Sequence, residues 1–181
     1  HRDRAEVDAI AVGSGTVLQD DPLLTARVAF RQRPLTRIVY DRRLRTPPTA
    51  RLFSTLNAGA VIIVATARVV RDATPRAEAL RTAGAEILVL DDGRSVVSSL
   101  EALALRGVSS VVIEGGAELH RAFWDARVID RVQMYVADRV LGDDGVEWLQ
   151  EPVMTATRVT ERSARPVGND VLLEGYVHRT D

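Results

Sequence analysis

Short uninterrupted apolar runs recur through the first three quarters of the chain, separated by stretches with helical spacing. The run over 9–13 (Ala-Ile-Ala-Val-Gly) predicts a buried strand that ends on glycine, and 37–41 predicts the next strand. After the second come a Thr46-Pro47-Pro48 turn and a short segment over 51–54. The clearest buried strand is 61–66, β-branched at nearly every position, as expected where both faces of a sheet are covered. A helix over 75–83 is stopped by Gly84, and a strand over 86–90 runs into Asp91-Asp92-Gly93. An amphipathic helix over 95–105 is closed by Gly107, a strand over 109–114 meets Gly115-Gly116, and a helix over 117–128 follows.

The last quarter has a different rhythm. Residues 132–137 read as a strand, and 157–161 and 171–177 alternate apolar and polar positions around Pro166-Val167-Gly168-Asn169. That turn chemistry predicts an antiparallel hairpin. The expectation is an α/β fold in one domain over 1–181, with a mostly parallel sheet flanked by helices and an antiparallel hairpin at the C-terminal end. No internal repeat, linker or low-complexity segment interrupts it.

Composition narrows the chemistry. The chain has 181 residues, 46% hydrophobic and 27% charged, which is ordinary globular composition and enough for one cored domain. A net charge of −1 gives no global basic field for nucleic acid, and no apolar stretch is long enough to cross a bilayer. A cytoplasmic location is expected. Cysteine is absent, which excludes disulfides, thiolate metal sites and a cysteine nucleophile. Lysine is absent too, which excludes a Schiff-base lysine within this segment; a GC-rich genome is the preferred reading of that gap. His1, His120 and His178 show no metal-ligand spacing, so no metal site is expected.

Candidate chemistry gathers where predicted strands end. The opening run 4–27 reads as a strand, a glycine-pivoted turn, a short helix, an Asp21-Pro22 stop and Arg27, which puts hydroxyls and paired carboxylates at a strand's carboxyl end. Gly115-Gly116, between a strand and a helix, lets a backbone approach a phosphate closely, although such a pair is often only a tight turn. Glu114 is either a carboxylate at the lip of the sheet or an acid that complements the helix dipole. Gly15-Thr16 and Asp21-Pro22 have a plainer reading as a cap and a stop. Arg4 and Arg27 either bind an anion bidentately or are solvated, as is Arg42-Arg43, whose other reading is a clamp for a 2′-phosphate. His120 and Trp124, four apart on one helix face, read as a packed core pair or an exposed histidine over an aromatic rather than as a catalytic histidine.

Taken together, Arg4-Ala5, Asp8-Ala9-Ile10, Gly15-Thr16-Val17-Leu18, Asp20-Asp21-Pro22 and Leu24-Thr25-Ala26-Arg27 resemble the signature of the 5-amino-6-(5-phosphoribosylamino)uracil reductases. These are the reductase domains of the riboflavin-biosynthesis deaminase/reductase family. Val112-Ile113-Glu114-Gly115-Gly116, Ile129-Asp130 and Arg139-Val140-Leu141-Gly142 form a second matching block in the right order. The resemblance implies a dihydrofolate-reductase-like fold, a homodimer, and NADPH-dependent reduction of the ribosyl group of a phosphorylated aminopyrimidine to the ribityl form. It implies NADPH contacts at Thr16, Asp20 and the stretch Gly115, Gly116, Ala117, Glu118, Leu119 and His120, with Arg42 at the 2′-phosphate. It implies substrate contacts at Arg4, Leu24, Arg27 and Glu114, the arginines at the substrate's phosphate. Asp20 and Glu114 are the carboxylates nominated for electrostatic or proton-transfer roles.

The family also carries a strand with a lysine ahead of the region where His1 stands, so its first strand is expected to be missing from this chain. A zinc deaminase signature is absent, and a deaminase domain is expected only outside the chain, as a fusion or a partner. Two other readings remain open: a related reductase acting on another pyrimidine or a pterin, and a non-catalytic nucleotide-binding module.

Overall fold

The computed structural model describes residues 1–26, 33–91, 96–140, 142, 153–155 and 158–177. The chain divides into two compact units, His1–Leu119 and His120–Asp181. The first opens with a single helical turn, α1 (Arg2–Ala5), followed by β1 (Ala9–Gly13), α2 (Ser14–Asp20) and β2 (Thr36–Tyr40). A 3-10 helix (Arg51–Ala58), β3 (Val61–Thr66), α3 (Ala67–Asp72), α4 (Thr74–Thr82) and β4 (Ala85–Leu90) come next. Then follow α5 (Val96–Ala104), β5 (Val111–Ile113) and α6 (Ala117–Asp125), the last crossing into the second unit.

Five strands form one parallel sheet in the order β4-β3-β2-β1-β5, as the apolar runs predict. Side chains alternate between its faces. Ile10, Val12, Val39, Val61 and Ile63 face one core, with Val17 from α2, Leu52 from the 3-10 helix, and Ala77 and Leu80 from α4. Ala9, Ala11, Ile38, Ile62 and Val64 face the other, with Leu103 from α5. Every residue of β1 from Ala9 to Val12 is buried, so this strand can carry polar chemistry only at its ends.

A buried arginine holds the first core to its cover. Arg37, near the start of β2, is fully inaccessible to solvent, unlike the solvated arginine that its charge predicts. Its Nη1 donates to Leu52 O and Thr55 Oγ1, both at 2.7 Å, and its Nη2 to Thr55 O at 3.0 Å and to Gly59 O. Thr55 breaks the 3-10 helix with extended φ, which releases these carbonyls for the guanidinium. Gly59 is required beside it, because a Cβ there would lie 2.0 Å from Leu35 O.

The amino rim of the sheet is tied by Asp8, which precedes β1. Its Oδ2 accepts from the Ser109 backbone N–H at 2.9 Å and hydroxyl at 2.6 Å, and from both groups of Ser110 at 3.1 Å. The Asp8 N–H donates in return to Ser110 Oγ at 2.9 Å. At the amino end of β5, which is shorter than the predicted 109–114, the Ser109 and Ser110 N–H groups turn to Asp8, while Ser110 O still accepts from the Ala9 N–H at 3.0 Å.

In the second unit, β6 (Arg131–Val136), β7 (Thr160–Val167) and β8 (Asp170–Tyr176) form an antiparallel sheet in the order β6-β8-β7. The predicted hairpin is therefore present, joined by β6 into a separate three-stranded sheet. Its turn is the two residues Gly168-Asn169, with Gly168 at φ +62°. Trp124 packs with Val132, Val153 and Val159, and the Arg158 guanidinium carbon lies 3.5 Å from the centre of its ring. The predicted neighbour of Trp124, His120, is half-buried.

Hydrogen bonds from Ser109, with help from Ser110, lower the Asp8 carboxyl from 3.8 to about 2. A group depressed in the folded state stabilises above its unfolded value and loses that contribution as pH falls through the folded value. Stability from Asp8 should therefore be complete above about pH 4 and disappear between about pH 4 and pH 2. Asp8→Ala should lower the unfolding free energy by about 2 kcal/mol at neutral pH, and the gap from the parent should narrow across that acid window. Urea denaturation at a series of pH values measures both.

Candidate active site

The carboxyl rim of the sheet brings several predicted residues together. Ile113 ends β5, and the Glu114 N–H continues the ladder onto Ala11 O of β1 at 2.9 Å. Glu114 therefore stands where two parallel strands finish. Arg4 of α1 reaches it with a bidentate fork: Nε donates to Oε1 at 2.8 Å and Nη2 to Oε2 at 2.5 Å. Arg4 Nη1 donates to Thr25 O at 3.0 Å, so one guanidinium joins α1, β5 and the segment after α2. The hydrogen bonds to Glu114 push the Arg4 guanidinium up from its ordinary value, against the opposing effect of burial, and keep it charged. About a third of the Glu114 side chain remains open to solvent.

That segment is held at two further points. Asp21 Oδ1 accepts from the Arg51 N–H at 2.8 Å, at the start of the 3-10 helix, and Leu23 O lies 3.5 Å from Arg37 Nη1. Asp21 and Leu24 have φ of 41° and 53°, a left-handed conformation that non-glycine residues adopt only where their surroundings enforce it. Leu24 is buried in the first core, so what it can offer a ligand is its backbone. Among the described residues, the buried Thr25 hydroxyl has no hydrogen-bond partner. Arg27 lies outside the described residues.

Thr16 and the glycine pair form the second half of the rim. Gly13 precedes α2, no side chain caps that helix, and Thr16 instead turns toward β5. A Cβ on Gly115 would lie 3.1 Å from Thr16 Oγ1, and one on Gly116 would lie 3.7 Å from the same oxygen and 3.8 Å from Gly13 N. Both glycines have left-handed φ, +76° and +87°, and both are exposed. The nine-residue α6 begins directly after them with Ala117, exposed Glu118 and buried Leu119. Close backbone, an exposed helix start and a nearby hydroxyl are the parts that a phosphate of a dinucleotide requires, and the residues present fit one. His120 begins the second unit.

The remaining predicted residues have separate placements. Asp20, the last residue of α2, is exposed, and its neighbour Asp21 makes the structural contact. Arg42 is exposed in the loop after β2. Asp41 shapes that loop from inside: it is fully buried and accepts from the Thr46 N–H and hydroxyl at 2.7 and 2.8 Å and from the Arg43 N–H at 3.3 Å. Two residues beyond the arginine pair, Arg45 donates through Nη2 to Ser14 Oγ at 3.1 Å. Sequence reading singles out neither Arg45 nor Ser14. The available signal is an aspartate at a strand end with a threonine five residues on, a local fold that fixes where the intervening arginines go. Among the described residues, no cluster of His, Cys, Asp and Glu could hold a metal, and no helix is long and apolar enough to cross a membrane.

Comparison with known proteins identifies the family of the chain. Residues 1–173 match the family model described as the RibD C-terminal domain. The riboflavin biosynthesis protein RibD of Chlamydia trachomatis is 33% identical over 170 residues, which cover 88% of this chain and 44% of that protein. The 2,5-diamino-6-ribosylamino-4(3H)-pyrimidinone 5′-phosphate reductase of Archaeoglobus fulgidus is 38% identical over 150 residues, 77% of this chain and 65% of that protein. A diaminohydroxyphosphoribosylaminopyrimidine deaminase/5-amino-6-(5-phosphoribosylamino)uracil reductase of Thermotoga maritima has the same fold, with a TM-score of 0.73 at 23% identity, covering 97% of this chain and 47% of that one. The chain spans about half the length of the RibD relatives it matches.

The two glycines should respond differently to a methyl group. Both replacements carry the left-handed penalty of about 1 kcal/mol, but Gly115→Ala also presses on Thr16 while Gly116→Ala meets only ordinary contacts. Thermal unfolding should place Gly115→Ala below Gly116→Ala, and Gly115→Ala combined with Thr16→Ser should recover part of the difference.

Proposed function

The chain belongs to the RibD C-terminal domain family, and from that premise we propose that it is an NADPH-dependent reductase of a phosphorylated ribosylaminopyrimidine in riboflavin biosynthesis. The observation that carries this reading is the rim where the Arg4–Glu114 pair adjoins Thr16, Gly115 and Gly116. A hydride transfer needs no protein nucleophile; it needs two ligands held against each other near a proton source. The chain has no cysteine or lysine to offer as a nucleophile, consistent with such chemistry.

The bound dinucleotide would supply the hydride, and the chain's own residues do the rest. Gly115, Gly116 and the first residues of α6, Ala117, Glu118 and Leu119, present backbone to its phosphates, with Thr16 beside them. Arg42, exposed at the end of β2, is the clamp for the 2′-phosphate that separates NADPH from NADH. Glu114 accepts donor groups of the substrate, with its two oxygens held in place by Arg4. Leu24 contributes backbone to the same wall, and Arg27 binds the substrate's phosphate. Asp20, exposed to water at the end of α2, and Glu114 are the two carboxylates for the electrostatic or proton-transfer role. A homodimer, a cytoplasmic location and a deaminase partner domain complete the proposal; the last is supported by the bifunctional name of the Thermotoga protein.

The names of the relatives favour a second reading of the substrate. The Archaeoglobus relative is named for the 2,5-diamino-pyrimidinone, the Thermotoga protein for the deaminated uracil. Both compounds carry the same phosphoribosyl group, so the distinction rests on one ring position.

Calorimetric titration should give NADPH a dissociation constant of about 1 μM or tighter, near −8 kcal/mol, and NADH weaker binding. Turnover of each pyrimidine, followed by loss of reduced-nicotinamide absorbance, then identifies the substrate. Activity on neither compound, or binding of neither dinucleotide above background, would overturn the reductase reading. Glu114→Gln should lower kcat/KM about 10- to 100-fold while leaving NADPH affinity unchanged.

A further inference from the structure

The loop after β2 holds a cation that the proposed roles above leave unused. Arg45 is exposed, yet its guanidinium is fixed on Ser14 Oγ at 3.1 Å, and Ser14 is the first residue of α2 and buried. The loop is braced on both sides of it. The buried Asp41 carboxylate gathers Arg43 and Thr46, and Arg76 of α4 donates to Arg45 O at 3.1 Å. Among the described residues Arg45 forms no ion pair, so its charge is positioned without being neutralised.

Position makes this charge useful. Ser14 follows Gly13, and the Gly13 N lies 3.8 Å from where a Cβ of Gly116 would stand. The anchor of Arg45 is thus one residue from the backbone junction between the two glycine-bearing strand ends. A diphosphate seated on that junction brings two negative charges, while the glycine pair and the start of α6 offer only neutral N–H groups and a partial charge. A full cation beside these neutral donors adds a charge-assisted attraction that they lack. The chain contains no lysine, and the Arg4 charge is already committed to Glu114.

We propose that Arg45, held by Ser14, is the cation that binds the diphosphate of the dinucleotide, distinct from the 2′-phosphate clamp at Arg42. This rests on the dinucleotide-dependent reading above. It divides cofactor recognition between two arginines of one loop: Arg45 sets affinity for any dinucleotide, and Arg42 sets preference for the 2′-phosphorylated one.

The test is binding of NADPH and NADH to the parent, Arg45→Gln and Arg42→Gln, with competition by ADP, which carries only the diphosphate, and by 2′-AMP, which carries only the 2′-phosphate. Arg45→Gln should weaken NADPH and NADH alike, by about tenfold, and weaken ADP while sparing 2′-AMP. Arg42→Gln should do the reverse, lowering NADPH and 2′-AMP only. Arg45→Lys, which keeps the charge, should recover part of the loss. Loss of every ligand by one common factor together with a lowered melting temperature would assign Arg45 a structural role and overturn the proposal. Loss of NADPH and 2′-AMP alone, or no change, would also overturn it. A parent that binds neither dinucleotide would instead overturn the reductase reading, and this inference with it.

Discussion

A parallel sheet buried on both faces leaves polar chemistry no place except its two rims. Strand β1 shows the constraint: it has parallel neighbours on either side and apolar cover above and below from Ala9 to Val12. The consequence is a separation of labour along one strand only five residues long. At its amino end Asp8 collects hydrogen bonds from Ser109 and Ser110 and serves the fold. At its carboxyl end lie Gly13, Thr16 and, across the ladder, Glu114 and the glycine pair, all beside open rim. The register of β1 with β5 fixes both ends together, since Ala9 faces Val111 and Ala11 faces Ile113. Any slip by one residue would break the aspartate lock and displace Glu114 in the same step.

The segment that follows α2 shows how the rest of the rim is kept in shape. It lacks regular secondary structure, yet Asp21, Leu23 and Thr25 are each tied to a different element, through Arg51, Arg37 and Arg4. Two of these anchors are arginine side chains accepting no bond themselves and donating several. Burying Arg37 costs several kcal/mol for its charge, while each hydrogen bond to a charged donor returns roughly 1.5–3 kcal/mol. Four such bonds are about what the charge needs, and the broken 3-10 helix supplies their acceptors. The left-handed backbone at Asp21 and Leu24 is tolerable for the same reason: the surrounding bonds determine the path more strongly than the local preference opposes it.

What could be read from the amino-acid sequence follows the same division. The buried strands were legible because apolar runs such as 61–66 have one explanation, and Gly84 and Gly107 marked helix ends through their positive φ. Helix α3 was not legible as a separate element; it is six residues long, although Thr66 does cap it by accepting from the Val69 N–H. Strand β7 reaches beyond the alternation seen at 157–161 because its length is set by pairing with β8, and its side chains are exposed throughout. At the site, Thr16, Glu114 and the glycine pair could be named because their residue types sit at predicted strand ends. The bond between Arg4 and Glu114 spans 110 positions, and no local pattern announces it. Arg37 and Arg45 were hidden for a different reason. An isolated arginine looks solvated in a sequence, and only the carbonyls or hydroxyl brought to it by the fold distinguish it.

The absence of lysine then has a structural meaning whatever its origin in the genome. Arg4 uses three separate N–H directions to reach two carboxylate oxygens and one carbonyl lying in different segments. Arg37 spreads one charge over acceptors on Leu52, Thr55 and Gly59. Arg158 lays its planar group on the ring of Trp124. A compact ammonium could satisfy the charge in each place but has neither the fork nor the flat face, and it is held more tightly by water. In the rim this difference matters twice over. A guanidinium that stays charged while partly buried can hold Glu114 in one orientation, and one pinned through a single N–H, as Arg45 is on Ser14, still has donors directed elsewhere. A fold that builds its polar rims from arginine therefore gains cations that can position a neighbour and bind an anion with the same side chain.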